Sequence, residues 1–293
     1  MTGRGLMKEY IKLIDENLDK FLPIEYPQEI FESMRYSVLA GGKRLRPVMC
    51  LEVCRIFGGN IEDAIPVACA IEMLHAQSLI HDDLPCMDND DFRRGKPTNH
   101  KVYGEATAVL AGDALLSFAP QLIIQKSKNL SAETKLKLVE EFCIAAGAYG
   151  IIAGQVVDID SEGKKITPET LEFIHTHKTA DLFKCALKCG AIVAGASDEQ
   201  IGAMETFGQK LGFAFQICDD ILDETSTFEE LGKTLGKDKE ANKPTYTALF
   251  GIDKARTEVG CLLDATYAIM SQYGIKSEIL NEIIVGINER AKR

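Results

Sequence analysis

Residues 61–91 read IEDAIPVACAIEMLHAQSLIHDDLPCMDNDD: about six turns of mostly apolar helix, then five aspartates within ten residues. A helix this long and this apolar belongs inside a bundle rather than on its surface. Pro85 disfavours helical geometry at Leu84, so the helix is expected to end there. Asp82 and Asp83 then occupy the last turn, where the helix dipole already presents negative charge. Carboxylates placed there are destabilised unless a cation answers them.

The same helical period runs outward in both directions. MKEYIKLIDENLDKFL sets Tyr10, Ile11, Ile14, Leu18 and Phe21 on one face. ATAVLAGDALLSFAPQLIIQ, ETKLKLVEEFCIAAGAYGIIAGQVVDID and TPETLEFIHTHKTADLFKCALKCGAIVAGA each read as a long helix, as do DEQIGAMETFGQKLGFAFQICDDILDETS and KARTEVGCLLDATYAIMSQYG. Ser131, Thr167 and Ser197 offer cap chemistry at three openings. Alternating strand patterns, repeats and linkers long enough to divide domains are not evident. The reading is all-α: one large single-domain helical bundle over residues 1–293, of ten or more helices, with room for a deep central cavity.

A net charge of -11 argues against nucleic acid or an anionic membrane as the main partner. Nine cysteines without a C-x-x-C pair read as mostly buried free thiols of a reducing compartment. The first residues show no signal-peptide core, and the longest apolar runs are too short and too rich in small residues to span a bilayer, so a cytoplasmic protein without a transmembrane segment is expected.

A second acidic cluster closes another apolar helix. In FAFQICDDILDETS, Asp219 and Asp223 fall i,i+4 on one face, where like charges repel. A lone cluster of this kind is most often a solvated helix end; two, each ending an apolar helix, point to a cation. Oxygen ligands without His or Cys favour Mg²⁺ or Mn²⁺, completed by water and substrate phosphate. Cations stand in unusual places to match. Lys43, Arg44 and Arg46 precede a helix that Pro47 is expected to open; Arg93 and Arg94 follow the first cluster; Lys178 interrupts a helix; Lys233, Lys237 and Lys243 follow the second cluster. No Walker A or Rossmann glycine pattern is present, which disfavours nucleotides. The combination suits a diphosphate with an apolar tail.

These motifs resemble those of the trans-prenyltransferases, the short-chain polyprenyl diphosphate synthases that make farnesyl or geranylgeranyl diphosphate. The likeness is carried by GGKRLRP, HAQSLIHDDLPCMDNDDFRRGKPTNH, GEATAVLAGDALL, GQVVDID, HKTADLF, FAFQICDDILD and LGKTLGKD…NKPTY, in that order along nearly the whole chain. The resemblance implies the isoprenoid synthase fold, a homodimer, and roughly three Mg²⁺ per active site, for which Mn²⁺ could substitute. It implies Asp82, Asp88 and Asp219 as principal magnesium ligands, with Asp83, Asp220 and Asp223 acting directly or at one remove. It assigns the allylic diphosphate to Arg93, Lys178, Lys233 and Lys243, and isopentenyl diphosphate to Lys43, Arg46, His75 and Arg94. Thr179 and Gln216, with Lys178, would face the developing carbocation, and the departing diphosphate would take the proton. Gln155 and Asp158 match a family motif without an assigned role, and His175 and His177 fall on different helical faces, which argues against a shared metal.

Chain length in this family is set on the helix before the first motif, here by Leu74, Gln77 and Ser78. Many farnesyl enzymes carry an aromatic stopper where this chain has Gln77 and Ser78. The bacterial-like pattern favours a farnesyl product, with geranylgeranyl as the alternative. A terpene cyclase is disfavoured by the second DDxxD and by GGKRLRP, and an inactive partner subunit by the retention of both aspartate motifs.

Overall fold

The computed structural model describes residues 3–225 and 244–293. The chain is all-α; among the described residues the only strands are β1 (Phe92–Arg93) and β2 (Lys96–Pro97), a minimal antiparallel hairpin. Four helices form the centre. They are α3 (Leu45–Ile56), α4 (Ile61–Asp82), α10 (Asp181–Val193) and α11 (Asp198–Thr225). Here α10 packs on α3, α4 and α11, and α4 packs on α3. Pro47 through Cys54 of α3 are buried without interruption, as a helix enclosed on all sides requires. Around this core stand α1 (Gly3–Phe21), α2 (Gln28–Val38), α5 (Asn99–Tyr103), α6 (Glu105–Lys126), α7 (Ala132–Ala146), α8 (Ile151–Ser161) and α9 (Pro168–Ile174). Beyond α11 follow α12 (Tyr246–Phe250), α13 (Ile252–Gln272) and α14 (Glu278–Ala291).

The caps form where the sequence offers them. Ser131 accepts from the Thr134 amide and Thr167 from that of Thr170. Ser197 and Gln200 bond reciprocally, a capping box. The amphipathic face of α1 buries Tyr10, Ile14 and Leu18. Six of the nine cysteines are buried and all are free.

Three expectations need correction. The stretch 133–160 is two helices, α7 and α8, parted by a turn framed by Gly147 and Gly150, and its apolar composition hides the break. The stretch from Thr167 to Ala196 is helical only from Pro168 to Val193 and passes through one π-helical turn, His175–Ala180. Pro47 does not open α3; Leu45 does, and Pro47 sits inside the first turn, where its missing N–H leaves no bond unmade. Two stretches, Glu105–Lys126 and Ala132–Ser161, are long and apolar enough to cross a membrane by length and composition alone. Both are partly buried in the bundle, the first against α4.

Candidate active site

The carboxyl end of α4 turns back on itself. The Asp88 amide donates to the Asp82 carbonyl at 2.8 Å, and the Asp90 amide to that of Asp83 at 3.2 Å. Carbonyls that a helix end leaves unpaired are thereby satisfied, and the acidic loop is tied to the helix. Asp82 then accepts from the Gln155 amide on α8, whereas Asp83 is buried and accepts from Arg93 Nε at 3.0 Å. Burial pushes the Asp83 carboxyl up to about 6, against the pull of Arg93 and with the help of the Asp90 and Asp82 charges. Buried Asp83 and partly exposed Arg93 thus form one pair beside Asp82.

Neighbouring arginines part company at the hairpin. Arg94 and Gly95 both have positive φ, the signature of a tight two-residue turn. Arg93, on the strand, therefore reaches Asp83, while Arg94, in the turn, donates to the Gly41 carbonyl and meets His75 Nε2 at 3.4 Å. Gly42 makes this possible: its φ is +136°, and a Cβ there would lie 2.9 Å from Arg94 Cζ. Burial, then the charges of Arg46, Arg94, Arg93 and Arg44, hold His75 well below the usual imidazole range. His75 is therefore neutral and can accept.

The GGKRLRP segment divides its cations by depth. Arg44, at φ 48°, is buried and pairs with Glu72 at 2.6 Å and Asp15 at 2.9 Å. It anchors the segment to α4 and α1. Lys43 stays exposed, while Arg46 lies over the Phe183 ring at 4.4 Å with its Nε unpaired. Burial lowers Arg46 to about 10, which still leaves it charged at neutral pH.

The second acidic cluster and the π-helical turn complete the arrangement. Thr179 donates to Gln216 Oε1 at 2.7 Å, and Gln216 Nε2 donates to Asp220 at 3.0 Å. Asp220 is buried and also accepts the Tyr246 amide at 2.7 Å. His175 Nε2 lies 3.4 Å from the same carboxylate. One residue before Thr179, Lys178 donates to Asp158 on α8 at 2.6 Å. Burial pulls Lys178 down, but the charges of Asp82, Asp158 and Asp88 outweigh it and hold the ammonium firmly protonated. Two adjacent residues of one turn therefore meet different acids: Lys178 bonds Asp158 and feels the charges of Asp82 and Asp88, while Thr179 meets Asp220 through Gln216. Gly154 permits this contact, since a Cβ there would lie 2.2 Å from the Lys178 amide nitrogen.

Asp219 pairs with Arg290 of α14 at 3.1 Å, and its charge acts on Lys43 and Arg46. Asp223 follows one turn later on α11. Lys233 and Lys243 lie outside the described residues. Leu74 is fully buried, and Gln77 and Ser78 are half-buried on α4. His177 pairs with Asp181 at 2.8 Å, so His175 and His177 have separate partners. Sequence reasoning gave no role to Gln155, which orients Asp82, or to Asp158, which holds Lys178, and missed Arg290, far away in the chain. Motif matching flags the first two, but no spacing rule marks Arg290.

Among the described residues, no three His, Cys, Asp or Glu side chains close on a single point. A preformed protein cage is thus not what the acids offer. They offer one or two carboxylates at each of two places, all oxygen donors, which fits Mg²⁺ completing its shell with water and phosphate oxygens.

Residues 27–283 match the family described as Polyprenyl synthetase. The chloroplastic geranylgeranyl pyrophosphate synthase of Catharanthus roseus is 54% identical over 244 residues, which is 83% of this chain and 68% of that protein. The geranylgeranyl diphosphate synthase of Cyanophora paradoxa is 46% identical over 254 residues, 86% of this chain and 85% of the relative. Among solved structures, the geranyltransferase from Legionella pneumophila superposes with a TM-score of 0.88 at 29% identity, covering 99% of this chain and 97% of that one. A geranyltransferase from Helicobacter pylori, complexed with magnesium and isoprenyl diphosphate, gives 0.82 at 32% identity over 95% of each chain.

Proposed function

Because the chain belongs to the polyprenyl synthetase family and is a prenyltransferase, we propose that it condenses isopentenyl diphosphate head-to-tail with allylic diphosphates up to geranylgeranyl diphosphate. The observation that carries this reading is the π-helical turn, from which Lys178 bonds Asp158 within the field of Asp82 and Asp88, and Thr179 meets Asp220 through Gln216.

In this reading Asp82 and Asp88 on one side, and Asp219 with Asp223 on the other, hold Mg²⁺, while Asp83 and Asp220 orient their neighbours. Bound Mg²⁺ supplies charge neutralisation at the diphosphate. Arg93 and Lys178 hold the allylic diphosphate, joined by Lys233 and Lys243 from outside the described residues. Lys43, Arg46, Arg94 and neutral His75 hold isopentenyl diphosphate. The allylic C–O bond breaks, and its electron pair leaves with the diphosphate, where the fixed cations stabilise the developing charge. Thr179 and Gln216 present oxygen lone pairs toward the cation. The isopentenyl double bond forms the new C–C bond, and the adjacent C–H proton passes to a diphosphate oxygen, restoring a double bond.

The twenty-carbon product is favoured by the lack of an aromatic residue at Gln77 and Ser78 and by the names of the relatives above. A fifteen-carbon product has one supporting observation: Gln77 is held in place by a hydrogen bond to His81, which could make it a fixed floor. The partly uncovered apolar surface of α6 to α8, including Val109, Leu110, Ile124, Ile144, Ile152 and Val156, supports a homodimer. The free thiols support a reducing compartment such as the cytoplasm.

Incubating purified protein with isopentenyl diphosphate, each allylic primer in turn and Mg²⁺ tests the proposal. Linear geranylgeranyl diphosphate is expected, abolished by chelation. Asp82→Asn and Asp219→Asn should each lower kcat by at least about a hundredfold. Cyclic hydrocarbon, or no product from any primer, would overturn it.

A further inference from the structure

His81, the last residue before the first acidic pair, plays no part in the chemistry above, yet it is closely fitted. Its Nε2 lies 3.1 Å from the Val109 carbonyl on α6, and its Nδ1 lies 3.1 Å from Gln77 Nε2, one turn back on α4. The Val109 carbonyl only accepts and the Gln77 amide NH2 only donates, so Nε2 carries the ring proton and Nδ1 accepts. Gln77 must then donate through its amide nitrogen, which fixes which way the amide faces. The ring edge sits against Gly112, where a Cβ would lie 2.0 Å from Nε2 and 2.4 Å from Cδ2. No larger residue at 112 leaves room for the imidazole. Gln77, His81 and the Val109 carbonyl thus form one hydrogen-bonded bar across the seam where α4 packs on α6.

We infer that His81, seated by Gly112, is a positioning residue for product length: it latches Gln77 across the α4–α6 seam and so fixes the floor against which the growing chain stops. This rests on the reading of Gln77 as a length-setting residue. An unlatched glutamine turns about three side-chain bonds and yields to an advancing isoprenoid tail. A latched one yields only when a hydrogen bond breaks, a bias of roughly three- to tenfold.

The test is the ratio of product one isoprene unit longer than the parental main product to that main product, measured by chromatography at equal substrate turnover. His81→Phe keeps a ring over Gly112 but removes both hydrogen bonds. Gly112→Ala leaves His81 intact but displaces its ring. Each should raise the ratio at least threefold, in the same direction as Gln77→Ala, and neither should raise it further in the Gln77→Ala background. Thermal unfolding identifies a variant that fails to fold, in which case the other carries the test. A parental ratio in both variants while Gln77→Ala lengthens the product would refute the latch and leave the role of Gln77 standing. A further shift in the Gln77→Ala background would equally refute it, since His81 would then act independently. Parental ratios for both Gln77→Ala and Gln77→Tyr would remove Gln77 from length control, and the latch with it.

Discussion

The charged residues of the site differ in burial and in the partners they take, and sequence alone does not show which residue goes where. Arg44 sits between Lys43 and Arg46 in a run of basic residues, but its guanidinium is sealed by Glu72 and Asp15. Asp83 and Asp220 are adjacent to Asp82 and Asp219, yet each is buried on protein donors. Spacing announced both acidic clusters; which acid of each pair turns inward depends on partners 10 and 26 residues away. His75 has a pH consequence. Its pKa is depressed by burial and by four arginines, so the unfolded chain takes up a proton that the folded one refuses. Its contribution to stability is complete above the unfolded value of about 6.5 and declines as pH falls below it. Thermal unfolding at pH 7.5 and pH 5.5 should show a smaller loss on acidification for His75→Gln than for the parent. An equal loss would mean that His75 is not the group responsible.

At the scale of elements, helix existence was legible and helix interruption was not. Apolar periodicity reveals α1, α4, α6 and α11, because packing one face is what stabilises a helix in a bundle. The turn between α7 and α8, the π-helical turn and the two-residue strands of the hairpin leave no periodic trace. These interruptions do the positioning. The hairpin sends Arg93 and Arg94 to different partners, and the loop before α3 receives Arg94 at Gly42. Gly42→Ala combines a strained φ with a clash against that guanidinium, at a cost of roughly 1–3 kcal/mol. Its KM for isopentenyl diphosphate should rise about tenfold, with a much smaller change for the allylic substrate. Equal changes in both constants would show that the hairpin does not separate the two sites.

At the scale of the molecule, the all-α architecture followed from the first helix quoted above, but the origin of one site residue did not. Arg290 arrives from α14 to pair with Asp219, 71 residues away in the chain, a proximity only the packed bundle creates. The uncovered apolar surface of α6 to α8 belongs to the same scale. Leu110 is 57% exposed, so Leu110→Glu should leave a single chain folded while disfavouring a dimer. If the proposed dimer exists, light scattering should report the variant at half the parental mass with an unchanged helical circular dichroism spectrum, and a monomeric parent would overturn the proposed dimer. A parental mass would place the contact elsewhere.

Lys178 and Thr179 are consecutive, yet one bonds Asp158 and the other, through Gln216, meets Asp220, from a turn wound one residue wider than its flanking helices. That widening makes reading-frame-preserving insertions and deletions a different hazard from substitutions here. Exchanging one side chain disturbs one set of partners; gaining or losing a single codon rotates both neighbours together and draws both away from their carboxylates.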